Sequence, residues 1–342
     1  MAWKLQESRM PNIQTQTLHR REALRGLAGL GVAACVATPL WAQGTKKKLA
    51  PKLKIVIPAI ARSSLDDASR ALGDALVVAG LCDEIDYENR EAKGGSQAPT
   101  YFAEKYAQDP NALLIGDTSL AGAIALHKPA VELSRLTPVA RLTTDYLVVV
   151  VPANSPIKSA ADLGEKLKAA PRQTPVGIGS LGSVDHVLAG LLVKAAGAAP
   201  EEASYVPFMR SFELVDAVGS GKLAAAVSGW RTFSADVASG RLRAIGVASR
   251  RAAYGLRTLR EQGQDVDLVN WRAVFTGAGV AAARQAEMVE AIRAAVAEDS
   301  WKKALKQSYW DAAWLAGADL ASTLDIDIKT LQVAVQLLKL KA

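Results

Sequence analysis

Short apolar runs recur along this chain, each broken by a glycine- or serine-bearing turn and followed by a helical stripe. Leu53-Lys54-Ile55-Val56-Ile57-Pro58 is the first, and residues 84–87 and 112–116 repeat the pattern. A helix is expected from near Asp66, with Leu72, Leu76 and Val77 or Val78 on its apolar face. Ser63, with Asp66 three residues on, forms a variant capping box in which Asp stands where Glu is usual. A glycine turn at 89–96 precedes another helix, and Ser119 is placed to cap a short apolar one. Repeated alternation of strand and helix restricts the chain to an α/β fold, a largely parallel sheet with helices on both faces. Ligands of such sheets bind at the carboxyl ends of the strands, where all these turns fall.

A β-branched strand at 146–151 is closed by Pro152 and Pro156, and the alternation then restarts. Helices are expected at 160–167 and 212–218, and strands at 204–208, 224–228 and 242–247. The tail from Val274 reads as mainly helical and is expected to pack back on the first block.

Residues 175–190 form the most informative unit, a short strand, the turn Gly179-Ser180-Leu181-Gly182, and a helix beginning at Ser183. Ser183 is the expected N-cap, because Val187, Leu188, Leu191 and Leu192 form an apolar stripe after it. Glycine lets backbone approach a ligand, and free amides at a helix start attract anions. The turn therefore reads as half of an anion-binding cleft. Gly177-x-Gly179-x-x-Gly182 also matches a dinucleotide loop. However, Glu201 and Glu202 precede the next strand, whereas the ribose-binding acid belongs at that strand's far end. A nucleophile elbow is excluded, since Ile178 stands where its first glycine should be.

The formal net charge is +7, but residues 1–42 hold five basic and two acidic side chains, leaving +4 for the rest. So mild and scattered a balance gives no case for nucleic acid. His19-Arg20-Arg21-Glu22-Ala23-Leu24-Arg25 is a twin-arginine pattern, followed by an apolar run from 27 to 41 and a cleavage site after Ala42. Val32-Ala33-Ala34-Cys35 resembles a lipoprotein box, but the apolar run continues past Cys35. Removal of the leader leaves Cys82 alone, which excludes an internal disulfide and a cysteine-rich metal site. The expected product is periplasmic.

Several segments together resemble the substrate-binding receptors of tripartite tricarboxylate transporters. These are Leu136-Thr137-Pro138-Val139-Ala140-Arg141-Leu142, the run from Gly179 to Asp185-His186, Gly240-Arg241-Leu242-Arg243-Ala244, Asn270-Trp271-Arg272, and Ser300-Trp301 through Trp310 to Leu315-Ala316-Gly317. The resemblance spans the chain after the leader. It implies a two-lobed periplasmic-binding-protein (type II-like) fold, each lobe a mixed, mostly parallel sheet flanked by helices, joined by two crossover strands. The expected lobes are 49–145 plus 271–342, and 146–270, with crossings near 146–151 and 270–275.

It also implies a monomeric receptor that closes over a small carboxylate and delivers it to membrane permease subunits, with no cofactor, no metal and no catalysis. The ligand-binding residues carried over are Ala61, Arg62, Ser63, Ser64 and Asp66 in one loop, Ser180, Leu181, Gly182, Ser183 and His186 in a second, and Arg210, Ser228 and Gly229 opposite. Three departures stand out. The family's Pro-Gly-Gly-Gly is Ala61-Arg62-Ser63-Ser64 here, its third glycine turn is Ala92-Lys93-Gly94-Gly95, and Arg210-Ser211-Phe212 replaces a glycine run before Glu213. Arg62 and Arg210 either reach the ligand as charge-assisted donors or point to solvent. The ligand class expected is a di- or tricarboxylate. An exported cofactor enzyme and a ligand sensor without transport are the competing functions. The first finds little catalytic material, with two histidines and one cysteine outside the leader.

Overall fold

The structure is a computed structural model and describes residues 48–341. The leader at 1–42 and Cys35 lie outside the described residues.

In the first part the expected alternation holds. β1 (Lys52–Ile57) leads to α1 (Ser64–Val78), β2 (Glu84–Asn89) to α2 (Ala98–Tyr106), and β3 (Ala112–Asp117) to α3 (Thr118–His127). The long β4 (Thr137–Pro152) follows, and then α4 (Ala160–Ala169), β5 (Val176–Ile178), α5 (Val184–Ala195), β6 (Tyr205–Pro207) and α6 (Ser211–Gly219). The chain continues through β7 (Ala225–Gly229), α7 (Trp230–Ala238), β8 (Leu242–Val247) and β9 (Val269–Thr276). It ends in α8 (Ala282–Ala295), α9 (Asp299–Ser308), β10 (Asp311–Ala316) and α10 (Gly317–Leu337).

The strands form a curled mixed sheet in the order β2-β1-β3-β9-β4-β7-β5-β6, with β8 and β10 also paired to β4. β4 belongs to both lobes in succession. Up to Tyr146 it pairs antiparallel with β9, and from Leu147 it pairs with β7 and β8. Register shifts interrupt its ladders with β8, β9 and β10, and such bulges bend and twist a strand. The chain returns from β8 through residues 248–268 to β9, all of whose partners lie in β3 and the first part of β4.

Both faces of each lobe are covered, which explains the continuous apolar strands. Along β1, Leu53, Ile55 and Ile57 face the α1 and α8 side with Trp301, while Val56 joins Phe102 and Leu114 on the other. In β4, Leu147, Val149 and Val151 pack toward α4 and α5, whereas Val148 and Val150 pack toward α6 and Phe233. The period-two alternation of a strand thus feeds two cores at once.

Two local expectations are corrected. Ser119 does not cap α3, because β3 runs straight into the helix. The cap is Asp117, whose carboxylate accepts the Leu120 N–H at 2.8 Å. Ser63 does cap α1, but Asp66 returns its carboxylate to the Arg62 N–H rather than to Ser63. The tail is mainly helical as expected, with α8 and α9 against α1 and α10 against α3, and it adds β10, an edge strand lacking β-branched residues, which pairs with β4. Elsewhere, Ser183 caps α5 as expected, accepting the His186 N–H.

The contact between α3 and the 180s turn leaves no space. A Cβ at Gly122 would fall 2.2 Å from the Gly182 carbonyl oxygen. Ala is favoured over Gly in a helix by about 1 kcal/mol, but overpacking against backbone costs about 1–3 kcal/mol. Gly122→Ala is therefore expected to lower Tm, measured by calorimetry, against its helix propensity. A variant melting at or above wild type would show that the turn does not rest on the helix.

Candidate functional site

The turns at 58–65 and 179–185 face one cleft of about 980 Å³, bounded on the other side by 208–216, Ser228 and Gly229, and floored by Asp145, Asn270 and Arg272. Of the expected ligand residues, Ala61, Arg62, Ser63, Ser64, Ser180, Ser183, Arg210, Ser228 and Gly229 line it.

Asp66, Leu181, Gly182 and His186 sit behind the lining. Asp66 is buried and accepts from the Arg62 N–H (2.9 Å), Arg70 Nε (2.9 Å) and Asn89 Nδ2 (3.0 Å). Burial pushes its pKa up, but these hydrogen bonds outweigh burial and hold the carboxyl below its ordinary value. It braces the 60s loop from beneath. His186 takes the Gly182 N–H on Nδ1 at 3.0 Å and meets Tyr205 edge-on, with ring centroids 4.7 Å apart. Burial pushes its pKa down to about 4, so it buttresses the turn as a neutral ring. Leu181 packs on the second lobe's core, and Gly182 lies against Ala123 with φ +81°, a conformation glycine adopts without strain.

The 60s loop keeps a glycine-like backbone without glycine. Arg62 has φ 64° and Lys93, in the third departed turn, φ 51°. Of the five arginines lining the cleft, Arg231 pairs with Asp67 across it (2.6 Å), Arg241 with Asp216 and Asp236, and Arg272 with Asp145. Among the described residues the Arg62 and Arg210 guanidinium groups have no hydrogen-bond or ion-pair partner.

The floor was missed by sequence reasoning. Arg272, 1% exposed, donates from Nη1 to Asp145 Oδ1 (2.7 Å) and from Nη2 to Ser64 Oγ (2.8 Å), with its guanidinium over Trp310. Asn270 Nδ2 donates to the same Asp145 oxygen at 3.0 Å. The available signal was charge inside apolar strands, Asp145 in β4 and Arg272 in β9, since ionised groups are rarely fully buried unpaired. Asp185 accepts the Gly179 N–H at 3.2 Å, so a carboxylate of the chain itself already occupies an amide that a nucleotide phosphate would need. Burial pushes Asp185 up to about 7 and Asp117 up to about 6, and nearby Asp145 adds to both. Among the described residues no His, Cys, Asp and Glu group is placed to hold a metal ion.

A carboxyl with a raised native pKa holds its proton in the folded state while the unfolded chain releases it, so its contribution to stability falls as pH rises between the two values. For Asp185 that window runs from about 4 to about 7. His186 acts in the opposite sense over about 4 to 6.5, so the clean readout is a difference. Asp185→Asn is expected to gain Tm relative to wild type steadily from pH 4 to 7. A constant difference across that range would show Asp185 ionised throughout.

A sequence-family profile described as tripartite tricarboxylate transporter family receptor matches residues 60–328. No curated protein sequence matches. Among solved structures, the periplasmic binding protein BugD superposes with a TM-score of 0.73 at 16% identity, covering 85% of this chain and 98% of its own. MatC from Rhodopseudomonas palustris, with bound malate, gives 0.71 at 20% identity over 83% and 98%. Rpa4515 of R. palustris, with adipate, gives 0.75 at 18% identity over 85% and 98%. At these identities the likeness is one of fold.

Proposed function

Because the chain belongs to the tripartite tricarboxylate transporter receptor family, we propose that it is a periplasmic solute receptor, binding a small di- or tricarboxylate of citrate-like kind in the interlobe cleft and delivering it to a tripartite-type membrane permease. The family and its structural relatives are solute-binding proteins, which favours binding without chemistry. Export by the twin-arginine leader, action as a monomer, and lobes of 49–145 plus 271–342 and 146–270 belong to the same reading.

One observation carries it. Two turns from different lobes face one cleft, and that cleft holds two arginines, Arg62 and Arg210, without partners among the described residues. An exposed guanidinium beside hydroxyls of Ser63, Ser64, Ser180 and Ser183 suits a carboxylate, which takes bidentate charge-assisted hydrogen bonds. Malate in MatC and adipate in Rpa4515 are both dicarboxylates, consistent with that ligand class.

Replacing Arg62 or Arg210 by Gly should weaken binding of the cognate acid about 10- to 100-fold each, as expected for losing one charge-assisted hydrogen bond. The ligand-free Tm of Arg62→Gly should stay level or rise, because Gly relieves a left-handed backbone. Calorimetric titration with a panel of citrate-like acids reads the affinity. Unchanged affinity for every acid in both variants would remove the arginines from the site.

A further inference from the structure

Three buried carboxyls lie on the cleft wall below its mouth. Asp117, Asp145 and Asp185 all line the cleft, at 7%, 6% and 8% exposure. Asp145 is paired with Arg272, and that pair is neutral in sum. Asp117 accepts the Leu120 N–H at the start of α3, and Asp185 accepts the Gly179 N–H and the Ser228 hydroxyl. Among the described residues these donors are neutral, and no cation pairs with either carboxyl.

Asp185 belongs to the same turn that faces the cleft with Ser180 and Ser183. Its Oδ2 lies 3.2 Å from the Gly179 nitrogen. A Cβ added at Gly179 would stand 3.0 Å from that oxygen and 3.6 Å from Ser183 Oγ. The carboxyl is thus folded into the turn, and an anion held by the turn's hydroxyls comes to rest beside it. Asp145 on β4 and Asp117 at the end of β3 both add negative potential there. Arg272 on β9 is engaged by Asp145 and Ser64. On α5 itself, His186 is a neutral ring bound to the Gly182 N–H. Toward the mouth, Arg231 and Arg241 are paired with Asp67, Asp216 and Asp236, and Glu91, Arg62 and Arg210 are exposed.

An ionised Asp185 therefore sets like charge against an incoming carboxylate where little water screens it, and two adjoining carboxylates cannot both stay ionised cheaply. A protonated Asp185 keeps one oxygen for the Gly179 N–H and presents an O–H on the other. The Ser228 hydrogen then has a second acceptor, since Thr232 Oγ1 lies 3.4 Å from Ser228 Oγ. Burial already pushes the Asp185 carboxyl up to about 7, so near neutral pH the proton is close at hand.

We propose that the receptor takes up a proton together with its anionic ligand, and that the proton goes to the Asp185 carboxyl. This rests on the carboxylate-receptor reading above and adds a linkage to it. The proton comes from solvent, bonds to the carboxyl oxygen not committed to Gly179, and is donated in a hydrogen bond to the ligand carboxylate; release of the ligand returns it to solvent. Only the protonated fraction is competent to bind, so affinity falls as pH rises above about 7.

Calorimetric titration of the wild-type protein with malate and with adipate, both fully ionised between pH 7 and 9, reads the linkage. The dissociation constant of the tighter acid should rise about tenfold or more across that range. At pH 8, titrations in buffers of different ionisation enthalpy should show about one proton taken up per acid bound. Asp185→Asn, checked for folding by its Tm, should take up no proton and vary less than about twofold in affinity over the same range, whereas Asp117→Asn should keep the uptake. A wild-type affinity that stays level from pH 7 to 9, with heats independent of buffer, would refute the linkage and leave the receptor reading standing. Uptake that survives in Asp185→Asn and vanishes in Asp117→Asn would overturn the assignment to Asp185. If neither acid binds, and none in a citrate-like panel raises Tm, the receptor reading falls and the linkage falls with it.

Discussion

The buried ion pair between Arg272 and Asp145 ties together the parts on which the rest of the structure depends. Asp145 stands where β4 leaves one lobe for the other, opposite Asn270 of β9, and Arg272 lies two residues further along β9, opposite Thr143. The same guanidinium reaches Ser64 at the start of α1, so one side chain connects the crossing strand, its neighbour and the cleft-facing 60s loop. Burying two charges costs several kcal/mol each, and only mutual attraction plus further hydrogen bonds offset it. Here Asn270, Thr143 and Ser64 contribute those bonds, and Trp310 covers the guanidinium face. Removing one partner would leave the other uncompensated in the floor of the cleft, a penalty of about 3–5 kcal/mol. An apolar pair would fill the space as well, but it would not fix the loop's position relative to the crossing strand.

Around this junction the loops are stiffened rather than freed. Asp66 binds the Arg62 amide from below, His186 binds the Gly182 amide from behind, and Asp185 binds the Gly179 amide from within the same turn. Each brace satisfies a backbone donor near the cleft, so fewer amides are left to meet a ligand. Arg62 and Lys93 hold left-handed conformations where glycine would be at ease. Long cations have been accommodated at those turns at a cost in backbone strain. Asp67 and Arg231 add one bond across the rim, between α1 of one lobe and α7 of the other.

Local chemistry was legible in the sequence and distant chemistry was not. Ser183 could be assigned as a cap because the signal lies within a few residues, a hydroxyl followed by an apolar helical stripe. The solid run at 147–151 announced a strand buried on both sides. By contrast, β10 carries no β-branched residue, and only its partner β4 makes it a strand. Ser119 was the expected cap, but β3 runs on to Asp117 and directly into α3, so Asp117 takes that place. The floor was hidden for a plainer reason: Arg272 meets Asp145 across 127 residues and Ser64 across 208. No periodicity reports such a meeting, although an arginine within Asn270-Trp271-Arg272-Ala273-Val274-Phe275 is itself a sign that a partner must exist.

Charge in the cleft is therefore arranged by depth. The mouth carries Arg62 and Arg210, exposed and without partners among the described residues, where in high dielectric they attract anions from solution and lose strength with salt. The floor carries fixed, buried carboxylates and one orphan acceptor, where each interaction is stronger and each mismatch costlier. Such a gradient orients as well as attracts. Exposed pairs discriminate weakly and unsatisfied buried groups discriminate strongly, so on the proposed receptor reading selectivity resides in the buried end.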